Sequence, residues 1–390
     1  MTAVVEVVGL TIAVTASGFM AWAIGAGSSG STPFAPAVGA RAISVLRAGL
    51  LVGIFGLLGA VLQGGRITTT IGRDLIGGAP LGVEGATIAL TIAAALVAVG
   101  VFAGYPIATA FTVTGAVVGV GLGLGGTPQL PVYTLIAAVW LATPIAGAGA
   151  AFLIARLLRR SGRTERRTVA ALGGLVTIII VHARAGPAGD LSIIGYLLGL
   201  TQLPVNPVLQ AVGLTLAMGT VGVVIVSQTV RRDPERGERW FLLVLGMLVA
   251  FSAGGSQVGL AIGPLLPVVT GGGVPLGILL AGGGIGLLIG SWTGAPRLIK
   301  ALARDYSSLG PRRSIAAMIP AFAIAQLAVG IGVPVSFNEI IVSAIIGSGL
   351  SVDSGAVSRR KILRTALAWV GSLLVAVAVG YTLAQVVSSV

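Results

Sequence analysis

The sequence predicts an all-α, polytopic membrane protein built from two inverted-topology repeats, and three observations carry that expectation. Mean hydropathy is +1.04, with 55% hydrophobic and only 9% charged residues, against about 25% charged in a soluble domain. Apolar runs long enough to cross roughly 30 Å of hydrocarbon recur along the chain, where a β-barrel would show short alternating strands. The third observation is self-similarity. Gly104-Tyr105-Pro106-Ile107-Ala108-Thr109 returns 228 residues later as Gly332-Val333-Pro334-Val335-Ser336-Phe337. Ala116-Val117-Val118-Gly119-Val120-Gly121-Leu122 returns as Ala344-Ile345-Ile346-Gly347-Ser348-Gly349-Leu350 at the same spacing, and Gly25-Ala26-Gly27-Ser28 matches Gly254-Gly255-Ser256-Gln257 at 229. Duplicated apolar segments interrupted by Gly, Pro, Ser and Thr mark a secondary transporter made of repeats.

In chain order, the first half places runs at 3–24, 43–64, 86–104, 107–123 and 131–154. The first of these lacks a basic leader and carries Glu6 near its start, so it reads as a retained helix rather than a cleaved signal. Runs at 168–186 and 204–227 form the middle pair, and the second half has 241–264, 275–294, 315–331, 335–350 and 362–385. That gives about twelve membrane segments, divided as a first repeat at 1–155, a connector with two membrane helices at 156–239, and a second repeat at 240–390. The amphipathic piece from Asp190 to Leu200 fits the outer interface.

Arginines fix the topology. Arg156, Arg159, Arg160, Arg163, Arg166 and Arg167 precede the middle pair, and Arg231, Arg232, Arg236 and Arg239 follow it. Basic loops stay cytoplasmic, so the first half ends inside and the second begins inside. An odd number of crossings per half then opposes their orientations and puts both termini outside a multi-pass protein of the cytoplasmic membrane. The net charge of +13 is accounted for by these loops and their contact with anionic lipid headgroups, not by nucleic acid. With no cysteine there is no disulfide, thiol chemistry or Cys-based metal site.

Two segments, 107–123 and 335–350, are short and begin directly after Pro106 and Pro334. Each can dip in and return rather than cross, because non-helical backbone is tolerated at membrane depth where protein or water covers it.

Polar side chains concentrate at four interruptions. They are Gly27 with Ser28, Ser29, Ser31 and Thr32; Thr109 with Thr112; Ser256 with Gln257; and Ser336 with Asn338 and Glu339. Gly and Pro free backbone groups there, and helices starting at a break point their positive ends into it. Convergent N–H groups and hydroxyls make an anion site without Lys or Arg, and none falls in these segments. The competing reading is that Ser, Thr and Gly only let helices pack closely. Glu339 lies inside an apolar segment, where an ionised, unpaired carboxyl costs several kcal/mol and is usually functional. It could bind a coupling proton, help hold a sodium ion, or serve as a structural acid. Glu84 reads as a helix cap and His182, the one histidine, stays unassigned. An enzyme needs a nucleophile–base pair or a metal cluster, which one peripheral His and one buried carboxyl do not supply.

The run Phe251-Ser252-Ala253-Gly254-Gly255-Ser256-Gln257-Val258-Gly259-Leu260-Ala261-Ile262-Gly263-Pro264 resembles the signature of the inorganic phosphate transporter (PiT) family, roughly Gly-x-Asn-Asp-x-x-Asn-Ala-x-Gly-Pro. The stretch from Ile24 to Gly39 takes the place of its N-terminal signature. Pro106 to Thr112 and Pro334 to Glu339 are similar to the family's Pro-x-Ser-Thr-Thr-His-Thr loops. The resemblance spans nearly the whole chain outside the connector. It implies an inverted-repeat, dimeric carrier of a tetrahedral oxyanion, coupled to sodium or protons.

The departures are chemical. Ser28 and Gln257 stand where the family has aspartates, Gly27 and Ser256 where Asn precedes them, Ser31 and Leu260 at the later Asn, and Phe111 and Glu339 at the histidines. The Gly25-Ala26-Gly27-Ser28 form is closest in style to the sulfate-permease branch. Sulfate is a permanent dianion that a carboxylate would repel, so this argument favours sulfate over phosphate. The function expected is ion-coupled transport of sulfate or phosphate by alternating access, with H+ or Na+ as coupling ion, Glu339 as the coupling group, and no cofactor. A passive oxyanion channel or a transport-inactive binding homologue is the alternative. The expected partners are the oxyanion, membrane lipid and a second copy in a homodimer.

Overall fold

A computed structural model gives the fold and describes residues 2–78, 81–159, 163–186, 191–201, 206–305, 309–351 and 359–389. Arg160 and Asp190 lie outside the described residues. The first half contains α1 (Thr2–Ile24), α2 (Ala35–Gly39), α3 (Val45–Gln63), α4 (Gly65–Thr69), α5 (Val83–Ala103), α6 (Thr109–Gly123) and α7 (Leu130–Leu158). The middle holds α8 (Arg163–His182), α9 (Ile193–Leu200) and α10 (Pro207–Arg232). The second half holds α11 (Pro234–Ile262), α12 (Leu266–Thr270), α13 (Leu276–Thr293), α14 (Ala295–Asp305), α15 (Pro311–Ile331), α16 (Phe337–Leu350) and α17 (Arg359–Ser388). Two short strands, β1 (Ile76–Gly77) and β2 (Thr127–Pro128), pair antiparallel.

Among the described residues nine helices are long and apolar enough to cross a membrane, not twelve. The other three expected runs are the shorter α6 and α16, and α8, whose first turns carry Glu165, Arg166 and Arg167. Each of the twelve expected runs falls on a helix, whereas the short α2, α4, α12 and α14 lie outside all of them.

The breaks after α5 and α15 share one geometry. Gly104 (φ 69°) and Gly332 (φ 73°) close the two helices in the left-handed region, where a side chain is disfavoured. The following N–H groups, of Tyr105 and Val333, bond back to the carbonyls of Gly100 (2.8 Å) and Ala328 (3.0 Å). Pro106 and Pro334 then keep the chain extended until α6 and α16 begin.

Each hairpin returns to the end it came from. β1 precedes α5 and β2 follows α6, so their pairing holds that hairpin's mouth at one end, where Tyr133 near the start of α7 donates to the carbonyl of Leu75 (2.7 Å). The α15–α16 hairpin opens at the opposite end of α7. There Arg159 donates to the carbonyl of Ser351 (2.7 Å), and Arg312 pairs with Glu165.

The halves exchange packing partners. α6 lies along α17 and α16 lies along α7; α3 lies along α11 and α13 along α1. Glycine permits each approach. A Cβ on Gly119 would strike the carbonyl of Val377, one on Gly347 that of Ala148, one on Gly25 that of Leu287, and one on Gly254 that of Gly56. Close packing by small residues is therefore the job of these glycines. It accounts for Gly25 and Gly254, though not for the hydroxyl and amide groups beside them.

Candidate functional site

Three of the four interruptions are helix starts or distortions; the fourth is neither. α1 ends in a π-helical turn, Gly25–Ser29, and such turns often occur at functional sites. α6 and α16 begin at Thr109 and Phe337 with no side-chain cap, so their first N–H groups lack the partner a cap would give. The expected break at Gly254-Gly255-Ser256-Gln257 is absent. α11 runs through it to Ile262 and changes to a 3₁₀ turn at Gly263–Leu265. Gly254 and Gly255 stay helical because α3 packs against them, and Pro264 supplies the interruption nine residues beyond Gly255.

Four elements from the two halves meet in one buried cluster. Thr109 Oγ1 donates to Gln257 Oε1 at 2.7 Å, and Ser28 Oγ donates to the same oxygen at 3.2 Å. Thr109 and Ser28 hydroxyls lie 3.4 Å apart. Gln257 Nε2 donates to the carbonyl of Val335 at 2.6 Å and reaches Ser256 Oγ at 3.4 Å. Asn338 Nδ2 bridges the carbonyls of Gly27 (2.9 Å) and Ile107 (2.6 Å). Ser28, Thr109, Ser256, Gln257, Ser336 and Asn338 are all fully buried. Asn338 Oδ1 and Ser336 Oγ have no partner, and a buried polar atom left so costs about 1–3 kcal/mol. The unspent capacity is thus one amide oxygen, which only accepts, and one hydroxyl, that of Ser336, which can donate.

The rest of the predicted set is divided. Ser31 Oγ turns to the carbonyl of Ser28 (3.2 Å), Ser29 Oγ to that of Ile24 (3.5 Å) and Thr112 Oγ1 to that of Ala108 (3.1 Å). These three hydroxyls serve their own helices. Glu339 is buried, but it faces away from the cluster into an apolar cavity between α7, α16 and α17, and its Oε2 has no partner.

Two residues that sequence reasoning passed over hold the breaks in place. Trp140 of α7 donates its indole N–H to the carbonyl of Pro334 (2.8 Å), and Trp369 of α17 donates to that of Pro106 (2.8 Å). They lie 229 residues apart, the repeat spacing, in a chain with five tryptophans. That spacing was the signal available.

A sequence profile of the phosphate transporter family matches residues 24–380. The chain is 24% identical to "Inorganic phosphate transporter 2-1, chloroplastic" of Arabidopsis thaliana, over 94% of this chain and 70% of that protein. It is 26% identical to a relative in Pyrococcus horikoshii that carries a phosphate permease name, over 90% of each. Among solved structures, one titled "The sodium-dependent phosphate transporter" has the same fold, with a TM-score of 0.82 and 22% identity over 98% of this chain and all of that one. These relatives are named for phosphate and give no support to a link with the sulfate-permease branch.

Proposed function

Since the chain belongs to the phosphate transporter family, we propose that it is a multi-pass membrane transporter, not an enzyme, that moves an inorganic tetrahedral oxyanion, phosphate before sulfate. The observation that carries this reading is the convergence of Ser28, Thr109, Gln257 and Asn338, drawn from both halves onto the uncapped starts of α6 and α16. Orphan N–H groups at helix starts, hydroxyls and amides are the donors an oxyanion needs. Phosphate takes precedence because the family and the relatives carry its name. Sulfate is the second reading, favoured by the absence of any carboxylate in the cluster's hydrogen bonds.

The packing supports transport by alternating access. The two hairpins open at opposite ends of α7 and each lies against the other half's last helix, which supports an inverted repeat over 1–155 and 240–390 with 156–239 as connector. Rocking of the hairpins against the long helices exposes the cluster to one end at a time. Glu339 is the coupling group, H+ or Na+ the coupling ion, both termini face outward, and the protein works as a homodimer in the cytoplasmic membrane.

Uptake of labelled phosphate and sulfate into proteoliposomes, under imposed proton or sodium gradients, tests the reading. Saturable uptake of either ion supports it, and uptake no faster than in protein-free vesicles for both removes it. Flux that never exceeds the electrochemical gradient would instead identify a passive channel.

A further inference from the structure

Resting on that transport reading, we infer that the coupling ion is a proton, bound by Glu339 in a cavity separate from the oxyanion cluster. The cavity has a volume of about 580 Å³ and lies between the start of α6, α7, α16 and α17. Its walls are related by the repeat. Phe111 and Glu339 are equivalent positions 228 apart, and Trp140 and Trp369 are equivalents 229 apart; all four line it. Phe111 stacks on Trp140 with centroids 3.9 Å apart. At the Phe111/Glu339 pair the two halves differ in kind, since one presents a phenyl ring and the other a carboxyl.

The chamber suits a proton and not a metal cation. Hard cations such as calcium collect about six oxygen ligands or more. The side chains here offer the carboxyl of Glu339 and the hydroxyls of Ser343 and Thr365; everything else presented by α6, α7, α16 and α17 is apolar or indole. Among the described residues no second titratable or charged group lines the cavity. Among the described residues no group of three or more His, Asp or Glu could hold a metal. Glu339 Oε2 is buried and without a hydrogen-bond partner. The cavity is open along Leu141 and Val370, yet Glu339 itself is buried, and a carboxyl buried this way changes charge only by taking or releasing a proton itself.

The link to the oxyanion runs through one peptide. Asn338 and Glu339 are neighbours in the first turn of α16, and successive helical residues point about 100° apart. Asn338 therefore reaches into the cluster, holding Gly27 and Ile107 carbonyls, while Glu339 reaches into the chamber. Any shift of α16 that admits the oxyanion at Asn338 also changes the enclosure of Glu339.

The experiment measures labelled phosphate influx together with luminal pH, reported by an entrapped dye, in sodium-free proteoliposomes. Wild type and Glu339→Gln see the same phosphate species, so the difference in protons carried per phosphate belongs to residue 339. The expected result is one proton fewer per phosphate in Glu339→Gln and, in a parallel set of vesicles given an inward sodium gradient at equal pH, no stimulation of wild-type uptake. An unchanged ratio, or sodium-driven accumulation by wild type, overturns the proposal. If Glu339→Gln carries no phosphate at all, Glu339→Asp decides: recovery of the wild-type ratio supports a carboxyl proton carrier, and failure to recover it overturns one. Wild type that moves neither phosphate nor sulfate would instead sink the transport reading on which this rests.

Discussion

Trp369 donates its indole N–H to the carbonyl oxygen of Pro106 at 2.8 Å, so the last helix of the chain secures a break in the first half. Trp140 returns the service to Pro334 at the same distance. Neither proline carbonyl sits in regular helix, and each would otherwise face the interior without a donor. Removing a donor from a buried carbonyl costs about 1–3 kcal/mol. Trp369→Phe keeps the ring and deletes the bond, so the purified protein should unfold at a lower temperature and exchange oxyanion more slowly. Trp140→Phe should behave alike. If both variants melt with the wild type, the indole bonds contribute nothing.

Gln257 is the hub of the cluster, accepting from Thr109 and Ser28 and donating to Val335. Gln257→Glu keeps the shape and adds a negative charge where an anion is to bind. Two unit charges about 4 Å apart repel by about 4 kcal/mol at an effective dielectric of 20. Half-saturation for labelled sulfate, which has no proton to share with the new carboxylate, should therefore rise about a thousandfold. A shift under tenfold would place the oxyanion elsewhere.

Thr109 contributes through its hydroxyl at 2.7 Å from Gln257. Thr109→Val preserves volume but leaves Gln257 Oε1 short of a donor, at about 1 kcal/mol or more. We expect at least a fivefold loss in transport efficiency for Thr109→Val and near wild-type behaviour for Thr109→Ser, both read from initial uptake rates. Equal behaviour of the two would show that the methyl group, not the hydroxyl, matters.

Gly254 lies where any side chain would enter the backbone of Gly56, whereas a Cβ at Gly282 meets nothing within 4 Å. Overpacking a tight interface costs about 1–3 kcal/mol and often more. Gly254→Val should reduce the yield of monodisperse protein in size-exclusion chromatography, and Gly282→Val should not. A well-folded Gly254→Val would mean that α3 and α11 can separate freely.

Much of this was legible in the residues. The repeated Gly-x-Pro placed the ends of α5 and α15, and the same alignment made Ser28 and Gln257 equivalents. What escaped has physical causes. A serine or threonine in a helix can donate to its own preceding turn or reach outward, and nothing local says which; Ser31 and Thr112 took the first course and Thr109 the second. The helix through Gly254 and Gly255 looked broken because glycine disfavours isolated helix, yet packing on α3 overrides that preference. The exchange of α6 onto α17 and α16 onto α7 joins segments from opposite halves of the chain, which no local pattern encodes. Glu339 was singled out as a lone acid among apolar neighbours, but the direction it faces depends on where α7 and α17 lie.

The donors around Gln257 are taken up by its own Oε1 and by the carbonyls of Val335, Gly27 and Ile107, and this has a bearing on leakage. A carrier must cross back empty as often as it crosses loaded. Here internal partners answer most of the cluster's polar demand, so a carrier of this kind can make the return journey dry. Cargo then gains entry only by replacing those internal partners, and a solute with too few acceptor oxygens has nothing equivalent to offer. Selectivity and tightness against water would thus come from the same few bonds.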